Sequence, residues 1–221
     1  MSKIRSNIYL GGIVEVGEEV FLRENGITRC LTVAKEFRAK EYAIKKKDKS
    51  AAEIKRKIIP LIDRPYAPLL QYLAESVKCL QRWDQKGEKI AIHCAAGISR
   101  SSSIVIAYLM VSERLSYAQA LAEVKEKRPL INPNKGFQLQ LQYFETVQPN
   151  FDPLVDQAYL ALLAKLKAEF KSTSKTRSVK HLFEANSPSS SPWVWFFRFF
   201  FLFLLSSFIL VLFSYFSHLI S

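Results

Sequence analysis

Lys89-Ile90-Ala91-Ile92-His93-Cys94-Ala95-Ala96-Gly97-Ile98-Ser99-Arg100-Ser101 holds a strand, a tight loop and the first residues of a helix. The apolar run Lys89 to His93 reads as a buried strand. It would carry the Cys94 sulfur to the end of a sheet, where ligands bind in open α/β folds. The next five residues must curl back on themselves before a helix running from about Arg100 to Ser112. Gly97 suits that curl, because a nest of inward N–H groups needs φ values that a Cβ resists.

The pattern is Cys, five residues, then Arg. Backbone N–H groups of Ala95, Ala96, Gly97, Ile98, Ser99 and Arg100 would converge on one small anion, helped by the positive end of the following helix. The same field favours the Cys94 thiolate over the thiol at neutral pH. The planar fork of Arg100 can grip two phosphoryl oxygens, as a Lys cannot. Ser101 can offer its hydroxyl to the sulfur and help the thiolate leave from a phosphocysteine. The bland alternative makes Cys94 a small core residue ending a strand. His93 before it, Gly97 third after it and Ser101 beyond the Arg weigh against chance. His93 itself reads as a group that tunes the loop through hydrogen bonds.

Outward from this stretch, strands alternate with helices. Ile8-Tyr9-Leu10 reads as a short edge strand and Val16 to Glu24 as a helix closed by Gly26. Arg29 to Val33 is a buried strand, and Ile58 to Ile62 another, with Pro60 pointing to a sheet edge. The charged stretch from Lys35 to Lys57 reads as solvated loop or exposed helix. Helices are expected over Pro68 to Gln85, Tyr117 to Lys127 and Gly136 to Val147. Ser116 and Gln119 have capping-box spacing, and Asn134 reads as a cap. Arg128 is an expected helix-end cation with room for a structural role. This order predicts an α/β domain over residues 1–150 with a mostly parallel central sheet flanked by helices.

The loop resembles that of dual-specificity protein phosphatases, and nearby segments resemble the small atypical members of that family. Ala107-Tyr108-Leu109-Met110 is similar to a family hallmark. So is Arg128-Pro129-Leu130-Ile131-Asn132-Pro133-Asn134-Lys135-Gly136-Phe137, followed by Gln140-Leu141, and the opening Ile4 to Gly11 matches the first strand of such domains. The resemblance covers residues 3 to 147 in family order. It implies a tyrosine-phosphatase-like fold and hydrolysis of phosphotyrosine and phosphoserine or phosphothreonine proteins through phosphocysteine, without metal or other cofactor. The family places its proton-donating Asp about thirty residues before the Cys. Asp63 lies 31 residues upstream, at the end of an apolar run. Arg64-Pro65 is an untypical continuation. Asp84 is the competing carboxylate and reads as a turn residue. Cys30 and Cys79 read as core residues.

Residues 151–192 open as a helix, with Asp152 as cap and Pro153 at its first position. Leu154, Tyr159, Leu162, Leu163 and Leu166 lie near one face that can dock on the domain. Six cations then fall between Lys165 and His181 against the single anion Glu169, and Ser187 to Pro192 reads as flexible linker. Residues 193–221 form an apolar tail. Phe199 to Phe216 is an 18-residue run without charge, about 27 Å as a helix, near the hydrocarbon thickness of a bilayer. Two Trp residues and Arg198 suit its interface. A C-terminal transmembrane helix is therefore expected, with membrane lipid as partner of residues 193–216 and of the basic linker.

The formal charge of +12, from 32 Lys and Arg against 20 Asp and Glu, favours anionic partners. Much of it lies beside the apolar tail, so nucleic acid is not expected and phosphorylated proteins are. Three scattered cysteines argue against a disulfide framework and for a reducing compartment. No secretory signal opens the chain and it does not begin Met-Gly. Cations upstream of the tail predict a cytosolic catalytic domain, with the endoplasmic reticulum preferred to the outer mitochondrial membrane. A phosphoinositide or phospholipid phosphatase is the nearest rival, disfavoured because Ala95, Ala96 and Ile98 add no cation to the loop. A phosphoprotein-binding adaptor without turnover would be expected to lack the Cys, Arg or acid.

Overall fold

Strand alternation decides which side chains meet which helices. The computed structural model describes residues 1–17, 19–37, 54–147 and 156–185, apart from the side chains of 19 and 173–185. Its strands are β1 (Ser2–Lys3), β2 (Ile8–Gly11), β3 (Arg29–Val33), β4 (Lys55–Ile59) and β5 (Ile90–His93). Its helices are α1 (Ile13–Gly17), α2 (Glu19–Glu24), α3 (Leu69–Gln85), α4 (Arg100–Ser112), α5 (Tyr117–Lys127), α6 (Lys135–Val147) and α7 (Gln157–Ala185). The sheet order is β1-β2-β5-β3-β4, with β2, β5, β3 and β4 parallel and β1 antiparallel to β2.

Ile8, Leu10, Leu31, Val33, Ile90 and Ile92 project to the main core shared with α3 to α6. The alternate residues Tyr9, Cys30 and Ala91 project to a smaller core with Val16 and Leu22 of the first two helices. This is the period of two expected of a sheet covered on both faces. The side chains of α4 from Arg100 to Met110 are all buried, as befits a central helix apolar on nearly every side. Burying each of its Ile and Leu side chains contributes roughly 1.5–3 kcal/mol.

Several elements depart from the sequence reading. β2 is an inner strand, because Ser2–Lys3 adds the edge outside it. The helix expected over Val16 to Glu24 starts at Ile13 and is two short helices, with Gly26 at φ +64° closing the second. The strand expected over Ile58 to Ile62 instead runs from Lys55 to Ile59, so it includes Lys55, Arg56 and Lys57. An edge strand tolerates these cations, whose side chains reach water or partners beside the sheet. The rest of the charged stretch, 38–53, lies outside the described residues.

α7 begins at Gln157, capped by Asp156, whose Oδ1 accepts from Tyr159 N at 2.8 Å. The opening expected at Asp152-Pro153 lies outside the described residues. The docking face is present: Tyr159 and Leu166 are buried. The chain divides into two units, Met1–Lys171 and Ser172–Ser221. The first holds the sheet and α1 to α6; residues 172–185 of the second are described, as helix. Among the described residues no helix is long and apolar enough to cross a membrane. The run from Phe199 to Phe216 lies outside them.

Candidate active site

The end of β5 leads directly to Cys94, which is buried. Six consecutive carbonyls from Cys94 to Ser99 are bonded to groups outside the loop. Cys94 O accepts from His93 Nδ1 at 3.2 Å, and Ala95 O from Ile13 N at 2.9 Å. Arg128 supplies Nη2 to Ala96 O at 3.2 Å and Nε to Gly97 O at 3.0 Å. Ile98 O accepts from Asn132 N at 2.9 Å, and Ser99 O from Ser103 N at 3.0 Å. In a trans peptide the N–H of the next residue points opposite to the carbonyl. The N–H groups of residues 95 to 100 therefore face the inside of the cup, around the sulfur. Gly97 N donates to Cys94 Sγ at 3.3 Å, and Ser101 Oγ donates to it at 3.2 Å. Gly97 sits at φ +69°, where a Cβ would overlap the Gly11 backbone and lie 2.8 Å from Arg128 Nη2. The loop closes there because no side chain is present.

Arg128, at the end of α5, braces the cup from behind. Its Nη1 lies 3.1 Å from Glu15 Oε1. Burial works against the charge of Glu15. The Gly12 N–H, Arg128 and the α-amino group of Met1 outweigh that burial and hold the carboxyl below its usual range. The helix-end cation with room for a structural role thus anchors two loop carbonyls. Its sequence position did not disclose the partner, because Glu15 lies 113 residues away.

Arg100 is buried and turned towards Glu36 and Asp63. Its Nη1 donates to both Glu36 oxygens, at 2.6 and 2.7 Å, and to Leu61 O at 3.3 Å. Among the described residues its Nε has no hydrogen-bond partner, and it lies 3.7 Å from Asp63 Oδ2. An oxyanion that reaches Nε would meet an unused donor. Glu36 was not singled out in the sequence, where it is one charge among many.

Asp63 is fixed by two donors to Oδ1, Ser99 Oγ and Asn134 Nδ2, each at 2.8 Å. Ser99 Oγ in turn accepts from Asn134 N at 3.1 Å, and Asn134 Oδ1 caps α6 by accepting from Phe137 N at 3.0 Å. The expected cap is there, and it also ties α6 to the acid. Asp63 thus stands beside the cup. Asp84 does not: it is in the last turn of α3, not in a turn after it. Its oxygens accept from Asn7 Nδ2 and, at 2.6 Å, from Tyr108 OH. Asn7 precedes β2 at the opposite end of the parallel strands from Cys94.

His93 is fully buried, and its lowered pKa leaves the ring neutral at pH 7. Cys94 O can only accept, so Nδ1 carries the proton and Nε2 accepts from Thr32 Oγ1 at 2.7 Å. Burial above all pushes its pKa down to about 4. Phe37 stacks on the ring at 6.4 Å between centroids. Cys30 is opposite Ala91 in the β3–β5 register, three residues short of Cys94 along the strand. That is about 10 Å, too far for a disulfide. Burial pushes the Cys30 thiol up to about 11.

Residues 8–147 match the family model for the dual specificity phosphatase catalytic domain. The dual specificity protein phosphatase 22-B of Danio rerio is 33% identical over 150 residues, covering 66% of this chain and 74% of that protein. The Homo sapiens dual specificity protein phosphatase 22 is 34% identical over 145 residues, covering 66% and 73%. Among solved structures, human DUSP28 superposes with a TM-score of 0.58 at 28% identity, over 66% of this chain and 96% of that one.

Proposed function

The chain belongs to the dual specificity phosphatase family and is a protein phosphatase; from that premise we propose that it works through a phosphocysteine at Cys94. The outward bonding of all six loop carbonyls carries this reading, since it leaves the amides of residues 95–100 to hold a phosphoryl group. In the first step the Cys94 thiolate forms a bond to phosphorus and the bond to the substrate oxygen breaks. Arg100 bears the equatorial charge through its Nε edge while Glu36 keeps Nη1. Asp63 gives its proton to the departing Ser, Thr or Tyr oxygen. As a carboxylate it then takes a proton from water, which attacks phosphorus. The sulfur leaves with the Ser101 hydroxyl directed at it. His93 holds the Cys94 carbonyl, and with it the orientation of the first inward amide.

Purified Cys94→Ser should be folded and inactive on 4-nitrophenyl phosphate, and Arg100→Lys should lose most activity because a point charge lacks the fork. Undiminished turnover by Cys94→Ser would sink the assignment.

We further propose that residues 193–221 anchor the enzyme in a membrane, the endoplasmic reticulum in preference to the outer mitochondrial membrane, with the catalytic domain in the cytosol. The uncharged run from Phe199 to Phe216 behind a basic segment supports it. The chain should resist carbonate extraction from membranes, and Leu205→Arg with Leu210→Arg should release it; recovery of the wild type in the soluble fraction refutes the anchor.

A further inference from the structure

The match to the family model ends at residue 147, yet α7, beyond it, reaches the loop that carries Asp63. Tyr159, Leu163, Leu166 and Phe170 recur at three- and four-residue spacing, so they share one stripe of the helix. Tyr159 fastens the near end of that stripe. It is fully buried, its hydroxyl donates to Gln140 Oε1 at 2.9 Å, and it accepts from Leu70 N at 3.3 Å. Three turns later, about 16 Å along the axis, Phe170 meets Arg64 and Tyr66, two of the three residues that follow the acid. The Tyr66 ring contacts it edge-on at 5.1 Å between centroids and 60° between planes. The Arg64 guanidinium lies 5.6 Å from its ring centroid.

The inner side of the same loop is held by α6. Gln140 donates to Ala67 O at 2.9 Å, and a Cβ on Gly136 would overlap Pro65 O. Gln140 therefore joins the loop, the start of α3 and Tyr159 in one buried knot. The outer side, Arg64 and Tyr66, rests on Phe170. Arg64 thus has a partner that lies beyond the stretch matched by the family model.

We propose that Phe170 is a positioning residue for the proton-donating loop, so that α7 sets how well Asp63 is presented to the leaving oxygen. This rests on Asp63 being the donor. Losing one aromatic pair and one cation–π contact should loosen the loop enough for about a tenfold loss wherever protonation limits the rate. A leaving group that needs no proton should not register the change.

The test uses the full chain in mild detergent and two small substrates of similar size, phenyl phosphate and 4-nitrophenyl phosphate. Phe170→Ala should lose about tenfold in kcat/KM on phenyl phosphate and under about twofold on 4-nitrophenyl phosphate. Phe170→Trp should restore the rate, and Phe170→Ala should add nothing in an Asp63→Asn background. Asp63→Asn slowing both substrates alike overturns the donor assignment and this proposal with it. If Asp63→Asn is selective for phenyl phosphate but Phe170→Ala matches the wild type, or slows both substrates equally, the proposal alone is wrong.

Discussion

Acidification should destabilise this protein through His93, and the size of the effect follows from its surroundings. The imidazole is fully buried with one nitrogen against a carbonyl and the other against a hydroxyl. A second ring proton would have to displace the Thr32 hydroxyl hydrogen, in a site with little water and with Arg56 nearby. Burial first, and then the Arg56 charge, lower its pKa from 6.5 to about 4 against the opposing pull of the Cys94 carbonyl. Between those two values the unfolded chain binds a proton at this position and the folded chain does not. Stability contributed by keeping His93 neutral is therefore fully present above pH 6.5 and is lost as pH falls towards 4. The whole window corresponds to roughly 3 kcal/mol, most of it gone by about pH 4.5. That is a large part of the roughly 5–15 kcal/mol typical of a domain. Urea unfolding of wild type and His93→Gln, each followed by circular dichroism between pH 7 and 4.5, isolates this residue by difference. The variant should be weaker at pH 7, and its deficit should shrink by about 2–3 kcal/mol at the acid end. A deficit that stays constant with pH would show that His93 does not titrate as this environment requires.

Three other perturbations probe the cup and its supports. Arg128→Ala should cost about 2–3 kcal/mol, because it leaves two buried loop carbonyls without their donors and removes one of the three partners of Glu15, and should weaken inhibition by inorganic phosphate. Arg128→Lys should recover part of the stability but little phosphate affinity, which titration with phosphate would reveal. Gly97→Ala should reduce turnover of 4-nitrophenyl phosphate by about a hundredfold or more while leaving the far-ultraviolet spectrum native, since the added Cβ enters the Gly11 backbone at a positive φ. Cys30 should escape alkylation at pH 7 in the folded chain, read by mass spectrometry, and react once urea exposes it; labelling without urea would contradict its burial.

The parts of this site that a sequence can disclose are the ones that are local. Cys94, the five residues after it and Arg100 form one uninterrupted cup, so their spacing alone predicts converging amides. α4 and α5 kept the bounds read for them, because an apolar run and the Ser116 capping box are short-range signals. β4 was misplaced for a similar reason. Its apolar residues Ile58 and Ile59 advertise a strand, whereas Lys55 to Lys57 belong to it only because β3 offers them a ladder.

Much of what holds the cup and aims the acid was not legible, because those contacts span the chain. Arg128 reaches Glu15, Asn134 reaches Asp63 across 71 residues, and Glu36 reaches Arg100 across 64. In the sequence Glu36 is one charge among many, Asn134 reads as a helix cap and Arg128 as a helix-end cation with room for a structural role, and none of them names its partner. The fold gives them meaning through one geometric fact: loops following parallel strands emerge at the same end of the sheet. The loop after β3 brings Glu36, the loop after β4 brings Asp63, and the loop after β5 brings Cys94 and Arg100. The carboxylates and the guanidinium thus converge without any local motif joining them. A catalytic loop whose amides must all face inward needs its carbonyls held from outside. That requirement explains why a buried Arg at the end of α5 and the Asn132 N–H just before α6 are built against it.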